Sequence, residues 1–335
     1  MEKKRVLIIG NGFDLDFGSD TRYSTFARSY LSEQSESDSN LLHYLKKKYE
    51  EIPNKDWFDF EKEIENYIKD KKAPSQESID ADKEDFNRLL GIGHSMDIIA
   101  WKTHREERSE YVNANLDKNP SLFPNPVQMW GRENSMANKI LHLIAQYPTY
   151  FSKIISFNYT NFYEYLKVTI DDYVKHDDEK SYEILNRLSI IPIHIEPKDS
   201  GERTAVLGIN DSVIVPSGYE FLKKGNQIEK SRRESAIQDI FKADELVIFG
   251  HSLGDSDADY FKPLFKDMFS ENPSHERRIT FITKGNNSGI WEQIRRYSGL
   301  INIMPKKCCT DIHFIDTAVM ESVFEYESLL MDFRQ

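Results

Sequence analysis

Short runs of nearly continuous Val, Ile, Leu and Phe recur along this chain, at residues 5–9, 153–157, 190–194, 205–207, 246–249 and 279–283. A strand covered on one face alternates apolar and polar positions, whereas one covered on both faces does not, so these runs predict buried parallel strands. Between most of them the apolar positions take the three-to-four-residue spacing of helices, over 162–168, 180–188, 232–241, 259–269 and 288–297. Strands alternating with helices predict an α/β fold, Rossmann-like, with a parallel sheet and helices on both of its faces.

The stretch between Tyr23 and Tyr147 breaks this alternation. It is rich in charge, holds no strand pattern, and shows helical spacing at 41–49, 58–69, 79–114 and 134–145. The pattern predicts a helical insertion over 31–147 that divides an α/β nucleotide-binding domain made of 1–30 and 148–335. Residues 34–40 and 71–78 read as polar linkers, and the three prolines between Pro120 and Pro126 as a loop.

In an open parallel sheet, ligands bind beyond the carboxyl ends of the strands. Four predicted strand ends here carry polar chemistry: Gly10-Asn11-Gly12-Phe13-Asp14, Phe157-Asn158-Tyr159-Thr160-Asn161, His194, and Gly250-His251-Ser252-Leu253-Gly254-Asp255-Ser256-Asp257. Glycine admits a close backbone approach, and its amides are suited to a phosphate or ribose. Leu15 stands where a third glycine would complete the dinucleotide fingerprint, so the first motif is partial. Simpler roles stand beside these: Asn158 as a turn residue, His194 as a core histidine, Ser252 as a cap, and Asp14 and Asp259 as acids at helix starts.

These loops, together with Thr21-x-Tyr23-Ser24-x-Phe26, Trp57-Phe58-Asp59-Phe60-Glu61 and the continuation Ala258-Asp259-Tyr260, resemble the AbiH family of bacterial abortive-infection, anti-phage proteins over nearly the whole chain. The order of loops is also similar, more distantly, to sirtuin-type domains. The second resemblance implies a sirtuin-type sheet and a nicotinamide-dinucleotide site, and a defence enzyme that hydrolyses NAD or a related dinucleotide at its N-glycosidic bond. Thr160 stands where the sirtuin-type pattern has Asp, and His194-Ile195 where AbiH relatives usually have His-Gly.

That chemistry gives each residue an expected part. Asn158 would orient a water at the anomeric carbon, and His194, with His251 as second choice, would accept a proton. Gly10, Asn11, Gly12 and Phe13 would face phosphates with their amides and a packing ring. Asp14, Tyr159, Thr160, Gly250, His251, Ser252, Asp255 and Asp257 complete the expected cofactor-binding set, with Ser252 on a phosphate and Asp255 or Asp257 on ribose hydroxyls. Glu61 is the residue of the insertion expected to reach the site. NAD is the expected substrate, with no metal.

Three other readings are open. Gly250-His251-Ser252-Leu253-Gly254 fits the nucleophile elbow of a serine hydrolase, with Asp267 or Asp311 and His275 or His313 as partners. Three aspartates close to the elbow and the little strand expected after Gly254 weigh against it. The same loops could bind a nucleotide as a non-catalytic sensor. A nuclease would need a basic groove, and the formal charge of -12 supplies no such field. No apolar run approaches the roughly 18 residues of a membrane span, and the run after Arg5 is too short for a signal peptide, so a cytoplasmic protein is expected. Cys308 and Cys309 are the only cysteines and are read as ordinary thiols. The expected partners are a nucleotide, a phage-derived or protein trigger and further copies of the chain, without membrane or nucleic acid.

Overall fold

The computed structural model of the chain describes residues 3–19, 21–33, 40–52, 58–91, 135–197, 203–285, 287–299 and 310–319. The expected proline loop, Trp57, the far part of the predicted 79–114 helix and both cysteines lie outside the described residues. The strands are β1 (Arg5–Ile9), β2 (Lys153–Ser156), β3 (Ile190–Pro192), β4 (Ile195–Pro197), β5 (Arg203–Ala205), β6 (Glu245–Phe249), β7 (Arg277–Thr283) and β8 (Thr310–Asp316). The helices are α1 (Asn11–Phe17), α2 (Tyr23–Glu33), α3 (Asn40–Glu51), α4 (Phe60–Asp70), α5 (Gln76–Leu89), α6 (Met136–Gln146), α7 (Phe162–Tyr173), α8 (Asp178–Arg187), α9 (Lys230–Phe241), α10 (Ala258–Met268) and α11 (Ser288–Ser298).

Six strands form one sheet in the order β3-β2-β1-β6-β7-β8, with every neighbouring pair parallel. Counted along the sheet alone this is the 3-2-1-4-5-6 order of the Rossmann-like fold, whose direction of winding reverses between the first and fourth strands. Here that reversal lies between β1 and β6.

The pleat explains why β1 has no polar position between Val6 and Ile9. Val6 and Ile8 pack on one face with Ile240 of α9, Phe261 and Leu264 of α10 and Ile294 of α11. Leu7 and Ile9 pack on the other with Phe13 of α1, Ile140 and Ile144 of α6 and Leu166 of α7. Each such buried side chain contributes about 1.5–3 kcal/mol. The Arg5 Nε–Glu245 Oε2 pair at 2.7 Å, with Arg5 partly exposed, adds at most about 1 kcal/mol. Burial therefore holds the strand in the sheet, and the pair marks its register against β6.

A third core lies away from the sheet. Helices α2 to α5 cluster with Ala205, Leu207, Ile209, Tyr219 and Leu222. At its centre the buried Asp82 carboxylate accepts the hydroxyls of Tyr67 at 2.7 Å and Tyr219 at 2.5 Å, and pairs with Lys71 at 3.2 Å. The helix α6, inside the 31–147 segment, packs instead with Leu7, Ile9 and Ile154 on the sheet. No helix among the described residues is long and apolar enough to cross a membrane.

Three strand expectations change. The run 190–194 stops as a strand at Pro192, and His194 falls in the bend before β4. The run 205–207 lies outside the main sheet, because β4 and β5 pair antiparallel as a separate ribbon. Beyond the expected run in β7, the edge strand β8 follows, which the polar residues among its apolar positions hid.

Candidate active site

At the reversal point the loops after β1 and β6 press together. Gly10 N donates to Phe249 O at 2.8 Å and Gly12 N to Gly250 O at 2.9 Å. A Cβ on Gly12 would stand 2.6 Å from Gly250 Cα, and one on Gly10 2.6 Å from His251 Cα. The glycines thus serve a crossing of backbone on backbone. The amides of Gly10, Gly12 and Phe13, expected to face a phosphate, bond within the protein, with Phe13 N on Gly10 O at 2.9 Å. The Phe13 ring is fully buried, edge-on to Phe162 and Phe249.

Asp14 follows in the first turn of α1, 1% exposed. Its Oδ1 accepts Asn158 Nδ2 at 3.0 Å. Its Oδ2 accepts Thr160 Oγ1 at 2.7 Å and Thr21 Oγ1 at 3.2 Å. The Thr21 hydroxyl also donates to Asn11 Oδ1. One carboxylate therefore fastens the loop after β2 to the loop after β1. Extended backbone points successive side chains to opposite sides, and Tyr159 faces away from Asp14. The Tyr159 hydroxyl donates to Glu61 Oε1 at 3.0 Å and receives Tyr23 at 2.9 Å. Burial, reinforced by Glu61, raises both phenols well above their ordinary values.

Glu61 is aimed by its helix. Asp59 caps α4 by accepting Lys62 N at 3.0 Å, and Phe58 and Phe60 lie in the third core. Glu61 Oε1 meets Lys224 Nζ at 2.6 Å. The ammonium also stands 2.9 Å from Asp257 Oδ1, 3.2 Å from Ser256 Oγ and 3.1 Å from His194 Nε2. Burial lowers the pKa of Lys224, but Asp257 and Glu61 outweigh it and leave the ammonium favoured. Burial likewise pushes Asp257 up, yet Lys224 and then His194 hold it well below the usual carboxylate value. The buried set thus contains two carboxylates against one ammonium.

The backbone that delivers Lys224 is tightly fixed. Lys224 N donates to Ile209 O at 3.0 Å, and Gly225 N donates to Asp211 Oδ1 at 2.9 Å. Arg233 clamps the same Asp211 and reaches Asp259 Oδ2 at 3.0 Å. Val206 N donates to His194 O at 2.8 Å, joining this segment to the bend after β3.

The two histidines differ in what their nitrogens have left to offer. His251 Nδ1 accepts Leu253 N at 3.0 Å, so its proton sits on Nε2, 3.5 Å from Asp257 Oδ2. Burial lowers its pKa, keeping the ring neutral. His194 Nε2 lies 2.9 Å from Asp257 Oδ1. With the three Lys224 protons assigned to Glu61, Asp257 and Ser256, His194 Nε2–H donates to Asp257 Oδ1. Among the described residues its Nδ1 is buried with no partner, and so is Asn158 Oδ1. Buried polar atoms are rarely left unpaired, so each of these two atoms is by itself a candidate contact for a hydrogen-bonding ligand.

Asn158 and His194 are not bonded to each other; Asn158 is tied to Asp14 and His194 to Asp257 and Lys224. Thr160 and Asp257 join these same groups. Ser252 is exposed, and Asp255 turns outward to Arg296 at 3.0 Å, so neither enters the buried set. The hydrolase partners are not gathered around Ser252. Asp267 bonds Ser274 at 2.8 Å, and His275 Nε2 faces Ala243 O at 3.2 Å, next to the start of β6 rather than its end. His313 lies within β8 at the edge of the sheet. Lys224 was missed by sequence reasoning. Lys223-Lys224-Gly225-Asn226 reads as a solvated turn, and nothing local signals that one lysine is 4% exposed.

A Rossmann-like sheet with a buried carboxylate-histidine-lysine group at its strand ends defines the class of the molecule. The family model described as bacteriophage abortive infection AbiH matches residues 6–280, most of the 335-residue chain, and the chain belongs to that family. No curated protein and no solved structure matches it.

Proposed function

We propose that this abortive-infection protein acts by hydrolysing the N-glycosidic bond of NAD or a related dinucleotide, with Asn158 and His194 at the reacting centre. The observation that carries the reading is the Asp257–His194 pair. A carboxylate holds one ring nitrogen, and the other is left as a buried, unpartnered acceptor. This is the arrangement of a general base with its orienting group. His251 offers no equivalent, because its acceptor nitrogen takes the Leu253 amide. In the reaction, His194 Nδ1 takes a proton from water as the water oxygen bonds to the anomeric carbon. The bond to nicotinamide breaks, and its electron pair stays with the pyridine nitrogen. The free Asn158 Oδ1 accepts from the water or a ribose hydroxyl, and Asp14 holds the amide in place. The excess of carboxylate over ammonium around Lys224 favours the positive charge that develops on the sugar. Since the amides of Gly10, Gly12 and Phe13 are engaged within the protein, the phosphates would rest on other donors of the strand-end rim. A trigger from phage or host and self-association through the helical segment complete the proposal.

The test is incubation of pure protein with NAD, NADP and ADP-ribose, followed by chromatography of the products. Release of nicotinamide by the wild type and its loss in folded Asn158→Ala and His194→Ala variants support the reading. Unchanged turnover in both variants removes them from the mechanism, and tight binding with no release makes the protein a sensor.

A further inference from the structure

We propose that Lys224 is a positioning residue that holds Asp257 charged, so that Asp257 keeps the His194 proton on Nε2 and leaves Nδ1 free as a base. The inference deepens the reading of His194 given above, and it stands on the geometry of one buried group.

Four side chains surround the Lys224 ammonium: Glu61, Asp257, Ser256 and His194. His194 itself faces Asp257 and Lys224 at Nε2, with the Phe157 and Tyr159 rings against it at centroid distances of 5.5 and 5.0 Å. His251 approaches the second oxygen of Asp257, and Tyr23 reaches Glu61 through Tyr159. In such a buried place a carboxylate without a cation takes up a proton. A protonated Asp257 becomes a donor toward His194 Nε2. The imidazole then either accepts that bond and carries its proton on Nδ1, or takes the proton and is protonated at both nitrogens. Both outcomes put hydrogen on Nδ1 and abolish the free acceptor. Lys224 prevents this by neutralising Asp257 while giving its protons to oxygen atoms. Its own place is fixed from two sides, by Glu61 of α4 and by the clamped backbone at Gly225. The helical segment thus reaches the histidine through an ion pair, and Glu61 is the handle by which movement of α4 would act on it.

The experiment reads the His194 imidazole nitrogens directly, by long-range proton–nitrogen correlation spectra at neutral pH, assigned with His194→Gln. The expected result is an unprotonated Nδ1 in the wild type and in Lys224→Arg, and a protonated Nδ1 in Lys224→Met. Lys224→Met strands two buried carboxylates. Lys224→Met with Glu61→Gln, whose amide oxygen still accepts Tyr159, gives a folded alternative with the same expected result. An Nδ1 that stays unprotonated when Lys224 is methionine, or that is already protonated in the wild type, overturns the proposal. The spectra do not depend on any substrate. Absence of NAD turnover in the wild type would therefore defeat the proposed reaction while leaving the role of Lys224 to be decided by the nitrogens alone.

Discussion

Asp14 and Asn158 lie 144 positions apart in sequence, yet the amide of Asn158 donates to the Asp14 carboxylate at 3.0 Å. The bond locks the loop after β2 to the helix after β1. It also fixes which way the amide points, because Nδ2 is held and the buried Oδ1 has no partner among the described residues. Asp14 receives Thr160 and Thr21 as well. Replacing it with Ala removes a buried acceptor from three donors. Hydrogen bonds to a charged group contribute about 1.5–3 kcal/mol, and stranded donors add their own cost. Asp14→Ala should lose about 3 kcal/mol or more in urea unfolding. A loss under about 1 kcal/mol would mean that water replaces the carboxylate and the site is open.

The histidines should separate in function. His194→Gln should reduce nicotinamide release by about 10²–10⁴-fold, the usual scale for a general base. His251→Asn places an acceptor oxygen near the position of Nδ1 and should keep most of the activity. Steady-state rates on the two purified variants decide the matter, and the reverse order of losses would transfer the basic role to His251.

The crossing of glycines sets a stability prediction. Gly12→Ala would set a Cβ 2.6 Å from the Gly250 backbone, where no flexible side chain can yield. Gly250 has φ 64°, a conformation that L residues adopt only with strain. Each change to Ala should cost about 1–3 kcal/mol, read as a lowered midpoint in thermal unfolding. Gly289→Ala meets nothing within 4 Å and lies inside α11, where Ala is the better helix former, so it serves as a control in which no loss is expected.

Acid should weaken the fold in two windows. Burial lowers the His251 pKa, so the unfolded chain binds a proton that the folded one refuses. Stability from this group is complete above the unfolded histidine value of about 6.5 and falls as pH drops below it, by at most about 1.4 kcal/mol per pH unit. His142 is lowered by burial too, so the wild-type slope contains both residues. The difference between wild type and His251→Asn in urea unfolding at pH 7.5 and 5.5 isolates one of them. Equal slopes would show that His251 is protonated in the folded state. Asp257 acts at lower pH. Its folded value is depressed, so its contribution is present above the unfolded carboxylate value of about 4 and is lost as pH falls below that.

Much of the scaffold was readable along the chain. Arg5–Ile9 emerges with its expected bounds because four successive apolar residues suit a strand buried on both faces. β8 escaped notice because an edge strand can keep polar residues between its apolar ones, as His313 stands between Ile312 and Phe314. Asn158 and His194 stood out because polar residues at strand ends are conspicuous. Asp14 reads in sequence as a helix-start acid or a cofactor contact, whereas its carboxylate accepts from residues 7, 144 and 146 positions away. Lys224 was invisible because a lysine in a polar turn is normally solvated, and only the approach of Glu61 and Asp257 makes its burial affordable.

By itself, the order of residues determined the fold class and most of its strands and helices, since local spacing of apolar side chains decides which faces can leave water. The folded molecule alone decided which charges meet. Partnership in a buried ion pair depends on distances of a few ångströms between segments far apart along the chain, and Coulomb attraction in a dry interior records that proximity while sequence spacing does not.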